Sequence, residues 1–438
     1  MALGGGTWVT QNKILPGSYI NFVSAKRASS TLGERGYAAM PLELNWGVEG
    51  KVFTVTAEDF TKNSLTIFGY DYTHENMKGL RDLFLNAKTL YAYRLGTGTK
   101  ATCKYATAKY AGTRGNDLKI VVTAITDGVD TTGYNVKTLL DNVVMDSQNV
   151  TGASATSSAL TNNDFVDWLA SVSLEAETVS LSGGANATVT TQSYSDFLDK
   201  IEAYSFNTIG AVSTSSDVKA LFTAFCKRMR DEQGVKFQCV LHKYTTADFE
   251  GVISVENNTA AELVYWVTGA SAGCEINKSN TNRLYDGEYT VNTDYTQAQL
   301  EDALTAGKFI FHNVDGNARV LEDINTLTTT TEDFIETKGD DFKSNQTIRV
   351  LDQVANDIAF IFNTRYLGII PNDESGRISL WNDVITHHRQ LESIRAIENF
   401  ESSDVTVEAG ETKKSVVVFD KITPTNCMAQ LYMQCVVA

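Results

Sequence analysis

Residues 427–438 carry no charge, on a chain whose 53 acidic side chains outnumber its 37 basic ones to give a net charge of −16. Met428, Ala429, Gln430, Leu431, Tyr432, Met433, Gln434, Cys435, Val436 and Val437 read as a strand without the Lys, Pro or inward charge that defends a free edge. Unpaired strand edges recruit other chains. Such a segment is therefore either an internal strand of its own domain or one given to a neighbouring subunit. The other end has the same character. Lys13 is the one charge in residues 1–25, and Tyr19, Ile20, Asn21, Phe22 and Val23 read as strand within an extended arm. Two uncharged, β-prone ends on one chain suggest strands exchanged between subunits.

At roughly 150 residues per domain, 438 residues have room for about three domains. The acidic balance repels phosphate backbones, which argues against direct nucleic-acid binding. With 42% apolar and 21% charged residues the composition is that of a globular protein. The start, Met1-Ala2-Leu3-Gly4-Gly5-Gly6, has neither a basic nor an apolar signal region, so folding in a cytoplasm is expected. The most hydrophobic segment, around Phe360, is broken by Asp357, Asn363 and Arg365, so no integral membrane association is expected. The six cysteines form no CxxC pair and have no His at zinc-site spacing, so no cofactor or metal is implied.

The expected fold class is a multidomain mixture of α/β and α+β units. After the arm, residues 26–95 read as a small α/β domain, with an amphipathic helix over 75–88 carrying Met77, Leu80, Phe84 and Ala87. Residues 96–185 are rich in Thr, Ser, Asn and β-branched side chains and predict an antiparallel, sandwich-like β domain. Over 186–330 helices alternate with strands: a helix capped at Ser193 and Asp196, a strand over 206–212, a helix with Val218, Leu221, Phe222, Phe225 and Met229, and a strand over 235–241. That alternation implies a parallel sheet. A strand over 308–314 turns at Asp315-Gly316 into a second one. Residues 331–438 predict two long helices, over 345–366 and 376–399, then strands and the terminal segment.

Three motifs imitate chemistry. Gly269-Ala270-Ser271-Ala272-Gly273 matches the GxSxG nucleophile elbow, and an α/β hydrolase using Ser271 is one alternative reading; the elbow needs a strand before the serine, whereas a helix precedes it here. Gly96-Thr97-Gly98-Thr99-Lys100-Ala101 imitates a dinucleotide turn but is followed by strand-like alternation. His387 and His388 are adjacent on a helix and cannot share a metal as an i, i+4 pair would. With Arg389 and Arg395 they form either a solvated basic face or a docking face for an acidic partner. The Thr/Ser/Asn-rich β domain admits a surface or adhesion protein as a further alternative.

The run Tyr110-Ala111-Gly112-Thr113-Arg114-Gly115-Asn116 resembles the GxxGN signature of contractile tail sheath proteins. The resemblance continues through Leu181-Ser182-Gly183-Gly184, Tyr204-Ser205-Phe206-Asn207-Thr208-Ile209, Tyr285-Asp286-Gly287-Glu288-Tyr289, Val320-Leu321-Glu322-Asp323-Ile324-Asn325-Thr326, Asn345-Gln346-Thr347-Ile348-Arg349-Val350-Leu351-Asp352-Gln353 and the closing segment 424–437. It implies a structural subunit, not an enzyme, that stacks as six-membered rings around a tail tube in a virion or bacteriocin particle assembled in a bacterial cytoplasm. It further implies a middle domain with a subtilisin-like fold, exchanged N- and C-terminal strands, and contraction triggered by a baseplate. The implied partners are other copies of the chain, the tail tube protein, and baseplate and terminator proteins, with His387, His388, Arg389 and Arg395 as the candidate tube-docking residues. No Walker motif is present, so energy for movement would have to be stored in assembly.

Overall fold

Alternate residues of the first strand, β1 (Tyr37–Leu42), enter two different cores: Ala38 and Met40 one, Ala39 the other. That is the signature of a strand covered on both faces, and the larger part of the molecule is organised around it. The computed structural model describes residues 32–330 and 338–437. It divides into a larger unit from residue 34 to 356 with 424 onward, and a smaller one of 357–423 with the N-terminal side through Gly33.

The larger unit opens with β1, β2 (Val52–Thr56), α1 (Ala57–Phe68), α2 (Lys78–Phe84) and β3 (Thr89–Arg94). Helix α1 starts at a reciprocal cap, in which the Thr56 hydroxyl accepts the Asp59 amide and the Asp59 carboxylate accepts the Thr56 amide. It stops at Gly69, whose φ of 80° suits a residue without a Cβ. There follow β4 (Ala106–Ala108), β5 (Leu118–Asp127), β6 (Asp130–Leu140), β7 (Val143–Thr151), β8 (Val166–Trp168) and β9 (Glu177–Ser180). Then come α3 (Thr191–Ile201), β10 (Thr208–Gly210), α4 (Ser216–Lys227), β11 (Gln238–His242), β12 (Val252–Val255), α5 (Leu263–Gly273), α6 (Gln297–Thr305), β13 (Lys308–Phe309), β14 (Phe311–Val314) and β15 (Asn317–Val320).

Seven strands form one sheet in the order β13-β12-β11-β10-β1-β3-β2, parallel except for β2, which runs antiparallel to β3. Trp266 and Val264 of α5, Leu80 and Leu83 of α2 and Phe60 of α1 fill one face; Phe197 of α3 with Phe222 and Phe225 of α4 fill the other. The antiparallel reading of the β segment holds: β7-β6-β5-β9 and β4-β8 share one core containing Ile120, Val136, Ala106 and Val166.

Three expectations are corrected. Segments 26–95 and 186–330 are not separate sheets, because β1 pairs with both β3 and β10 and the β segment is an insertion between them. The predicted strand over 308–314 is two, with β13 joining the large sheet and β14 turning into β15 through Asp315 (φ 50°) and Gly316 (φ 82°), both left-handed as a two-residue hairpin requires. The cap of α3 is Thr190 with Ser193 at its third position, one turn earlier than expected. Helix α7 (Asn345–Ile361) begins in the larger unit and ends in the smaller one.

The smaller unit contains the last turn of α7, helix α8 (Glu374–Ser393) and the hairpin β16 (Val405–Ala409) and β17 (Val416–Asp420). Asp373 caps α8 by accepting the Gly376 amide at 2.8 Å. Leu380, Val384, Leu391, Ile397, Phe400 and Val405 are buried, and the Trp381 indole N–H donates to the Val405 carbonyl at 2.9 Å. Ile378 of α8 is exposed.

Candidate functional site

The terminal segment is held at its root and unpaired beyond it. Gln346 at the start of α7 donates to the Thr425 carbonyl at 2.9 Å and accepts the Cys427 amide at 3.0 Å, while Asn426 bonds Ser344 and Thr347. A side-chain amide that satisfies the backbone on both sides of residue 426 imitates a strand partner. Past it, residues 428–437 join no sheet of the described chain, and Leu431, Tyr432 and Val436 are 84–88% exposed. The option of an internal strand is thus not the one seen. Nothing in the sequence near residue 346 signals the clamp, since its two ends lie 79 and 81 positions apart. Residues 19–23 lie outside the described residues.

In the smaller unit, β16 and β17 pair only with each other among the described residues, so the hairpin keeps an open edge on each side. Val417 and Phe419 of β17 are exposed. An apolar, unpaired edge of this kind accepts an added strand.

The basic face expected on α8 is not formed as a set of four. His387 and His388 are fully buried, because each ring finds a carboxylate inside the unit: His387 Nε2 lies 3.0 Å from Asp357, and His388 Nε2 lies 2.8 Å from Asp420. Their Nδ1 atoms meet at 3.1 Å. Arg389 and Arg395 remain exposed; Arg389 bonds Ser402, and Arg395 stands past the helix end with φ 59°.

The catalytic decoys resolve into packing. Gly269-Ala270-Ser271-Ala272-Gly273 is the last part of α5, and the Ser271 hydroxyl is buried without a hydrogen-bond partner. A Cβ at Gly269 or Gly273 would run into the backbone carbonyls of Leu83 and Asn86, so the glycines let α5 lie directly against the end of α2. Arg35 caps the same helix end by donating to the carbonyls of Ser271 at 3.0 Å and Cys274 at 2.9 Å. Burial, and then the nearby Arg349 guanidinium, lower Arg35 to about 10. Gly96 to Ala101 opens no helix; Thr99 pairs with Ala185, and Gly98 donates its amide to Glu49.

The motifs that carried the resemblance are internal joints of the larger unit. Arg114 is buried, donates to Gly69 and to Asp117 and Asp141, and stacks 4.4 Å from the Tyr70 ring centre. Asn116 and Gly184 exchange two hydrogen bonds, of 2.9 and 2.8 Å. Tyr285 and the Glu288 amide both donate to Asp82, Trp266 donates to Asp286, and Glu288 takes a fork of two bonds from Arg81. Burial pushes the Asp82 carboxyl up against the pull of those two donors. Asp323 accepts from the Asn280 amide, Asn345 and Arg349, and Asp352 pairs with Arg230 at 2.7 Å. Among the described residues no cluster of metal-binding side chains occurs, and no helix is long and apolar enough to cross a membrane.

Residues 35–95 match a domain described as tail sheath protein domain III N-terminal region, residues 187–326 the phage tail sheath protein central domain, and residues 337–438 the phage tail sheath C-terminal domain. The chain is 31% identical to the phage-like element PBSX protein XkdK of Bacillus subtilis (strain 168), over 98% of this chain and 99% of the relative. It is similar to the crystal structure of a sheath tail protein from Desulfitobacterium hafniense, with 38% identity, 93% and 96% of the two chains covered and a TM-score of 0.82. At 10% identity, with 98% and 99% covered and a TM-score of 0.56, the helical sheath of the anti-feeding prophage in its contracted state shares the fold.

Proposed function

Because this chain belongs to the phage tail sheath protein family, and is thereby a structural, non-enzymatic component of a phage tail or related particle, we propose that it polymerises as stacked six-membered rings around a tail tube and shortens on a signal from the baseplate. One observation supports this reading: an uncharged segment of ten residues, 428–437, leaves a clamped root and joins no strand among the described residues. The open-edged hairpin β16–β17 has the complementary deficiency, apolar and short of strands. If the segment of one subunit, with residues 19–23 of another, completes the hairpin of a third, each subunit is tied to its neighbours by backbone ladders. Such ties survive rigid-body rotation when the short linkers bend.

A head-to-tail contact that does not close on itself generates a helical filament. A filament assembled in a metastable arrangement can release a few kcal/mol per subunit by repacking, summed over many subunits. The tail tube, the baseplate and a terminator are its expected partners, with assembly in the cytoplasm of a bacterial host. Negative-stain microscopy of the purified full-length chain tests the proposal. Tubes or stacked rings are expected, and a protein that stays monomeric at every concentration that favours assembly refutes it.

A further inference from the structure

Two fully buried histidines and two partly exposed carboxylates of the smaller unit lie in a row that the sheath reading does not use. Asp357 from the last turn of α7 meets His387 Nε2 at 3.0 Å, the two Nδ1 atoms meet at 3.1 Å, and His388 Nε2 meets both oxygens of Asp420 at 2.9 and 2.8 Å. With both carboxylates ionised, the contacts themselves limit how many protons the two rings can share. Each Nε2 faces a carboxylate and must carry a proton to donate. The two Nδ1 atoms can then bond only if one is protonated and the other bare. Three protons on four ring nitrogens leave one imidazolium and one neutral imidazole between two carboxylates.

Among the described residues no other charged group hydrogen-bonds to the rings. Asp383, one turn earlier on α8, is held by Arg365 and Tyr366, and Arg389 points out to Ser402 and Glu392. From the stretch after α8 the ring of Phe400 meets His388 edge-on, and Asp404 accepts the Glu401 amide. From the N-terminal side the Gly33 amide donates to both oxygens of Asp357 at 3.3 Å.

We propose that Asp357, His387, His388 and Asp420 form a proton-sensitive tie between the places where the two ends of the chain meet this unit. Asp357 holds Gly33, and Asp420 is the last residue of β17, from which the chain leads to residue 423 and the terminal segment. A fourth ring proton, taken from solvent in acid, sets N–H against N–H across the centre. Loss of the third, in alkali, sets lone pair against lone pair. Either change opens the central bond inside a dry core, where an unmade polar contact is expensive. The tie thus holds over a limited pH range and loosens both chain ends outside it.

The consequence for assembly rests on the strand-exchange reading; the tie itself does not. Long-range ¹H–¹⁵N correlation spectra of the full chain with ¹⁵N-labelled histidine read the tautomers directly. At neutral pH one ring should be doubly protonated and the other bare at Nδ1, and that asymmetry should vanish on acidification together with hydrogen-exchange protection of the Gly33 and Lys421 amides. Two neutral rings with the same tautomer, or protection indifferent to the spectral change, overturn the proposal. In His388→Gln the pH dependence of that protection should flatten; a variant that keeps the wild-type profile also overturns it, and if the variant does not fold the wild-type spectrum decides.

Discussion

The Ser271 hydroxyl, buried without a partner between two glycines, separates a motif from its chemistry. Replacing Ser271 by Ala removes a polar group that makes no bond, so stability in denaturant melts should stay within about 0.5 kcal/mol of wild type, with assembly intact. Gly273→Ala should instead lose about 1–3 kcal/mol, because its methyl meets the Asn86 carbonyl, a backbone atom that cannot swing away. Equal effects of the two substitutions would contradict this account of the motif. Both glycines were visible in the sequence, but their reason was not, since the surface they meet belongs to α2, almost two hundred positions away. A second residue ties acid stability to a loop. Asp248 (φ 40°) accepts from the Thr328 amide at 2.7 Å, the Thr328 hydroxyl and the Thr329 amide. Burial opposes its ionisation, but these donors prevail and bring it down to about 2. A depressed carboxyl stabilises the fold above its unfolded value and loses that contribution as pH falls through the folded one. Asp248→Asn should therefore be less stable than wild type at neutral pH, and the gap in melting temperature should close between about pH 4 and pH 2.

Among the elements, those whose signal lies within one turn or one pleat were the legible ones. The stripe Val218, Leu221, Phe222, Phe225 and Met229 predicts α4, and all are buried but Leu221, which is half-buried. Helix α6 opens at a reciprocal cap between Thr296 and Gln299, a signal four residues long. What depends on distant pairing was not legible. The union of β1 with β10 bridges an insertion that contains six strands, and no local pattern reports it. Helix α8 shows the same limit. His387 and His388 read as part of a basic face because their acceptors, Asp357 and Asp420, lie 30 and 32 positions away. Only Arg389 and Arg395 of the four are exposed, so any tube docking by this region must use those two. Exposed charges act through screened, long-range attraction. Reversing both to Glu should weaken co-sedimentation of sheath with tube and reduce its salt dependence. Unchanged binding across a salt series would leave them a solvated surface.

On the scale of the whole molecule, the family motifs and the exposed segments divide the work. Arg114, Asp82, Asp323 and Asp352 fasten the larger unit internally. Among the described residues, backbone without a strand partner lies in residues 428–437 and along the two edges of β16–β17. A coupler built from backbone needs no particular side chain, only apolar residues free of charge, which is what the first reading of residues 427–438 rested on. The decisive variant ends the chain at Cys427, keeping the clamp of Gln346 on residues 425–427 and removing only what lies beyond it. No buried residue is lost, since none of 428–437 contributes to a core. Cooperative melting and circular dichroism should therefore match the full chain, while sedimentation shows a monomer and microscopy no tubes. Leu431→Pro deletes one ladder donor in the middle of the segment and should weaken assembly in the same direction, more mildly. Truncated chains that still build tubes would remove the segment from the coupling, and truncated chains that lose cooperative unfolding would return it to the core of its own subunit.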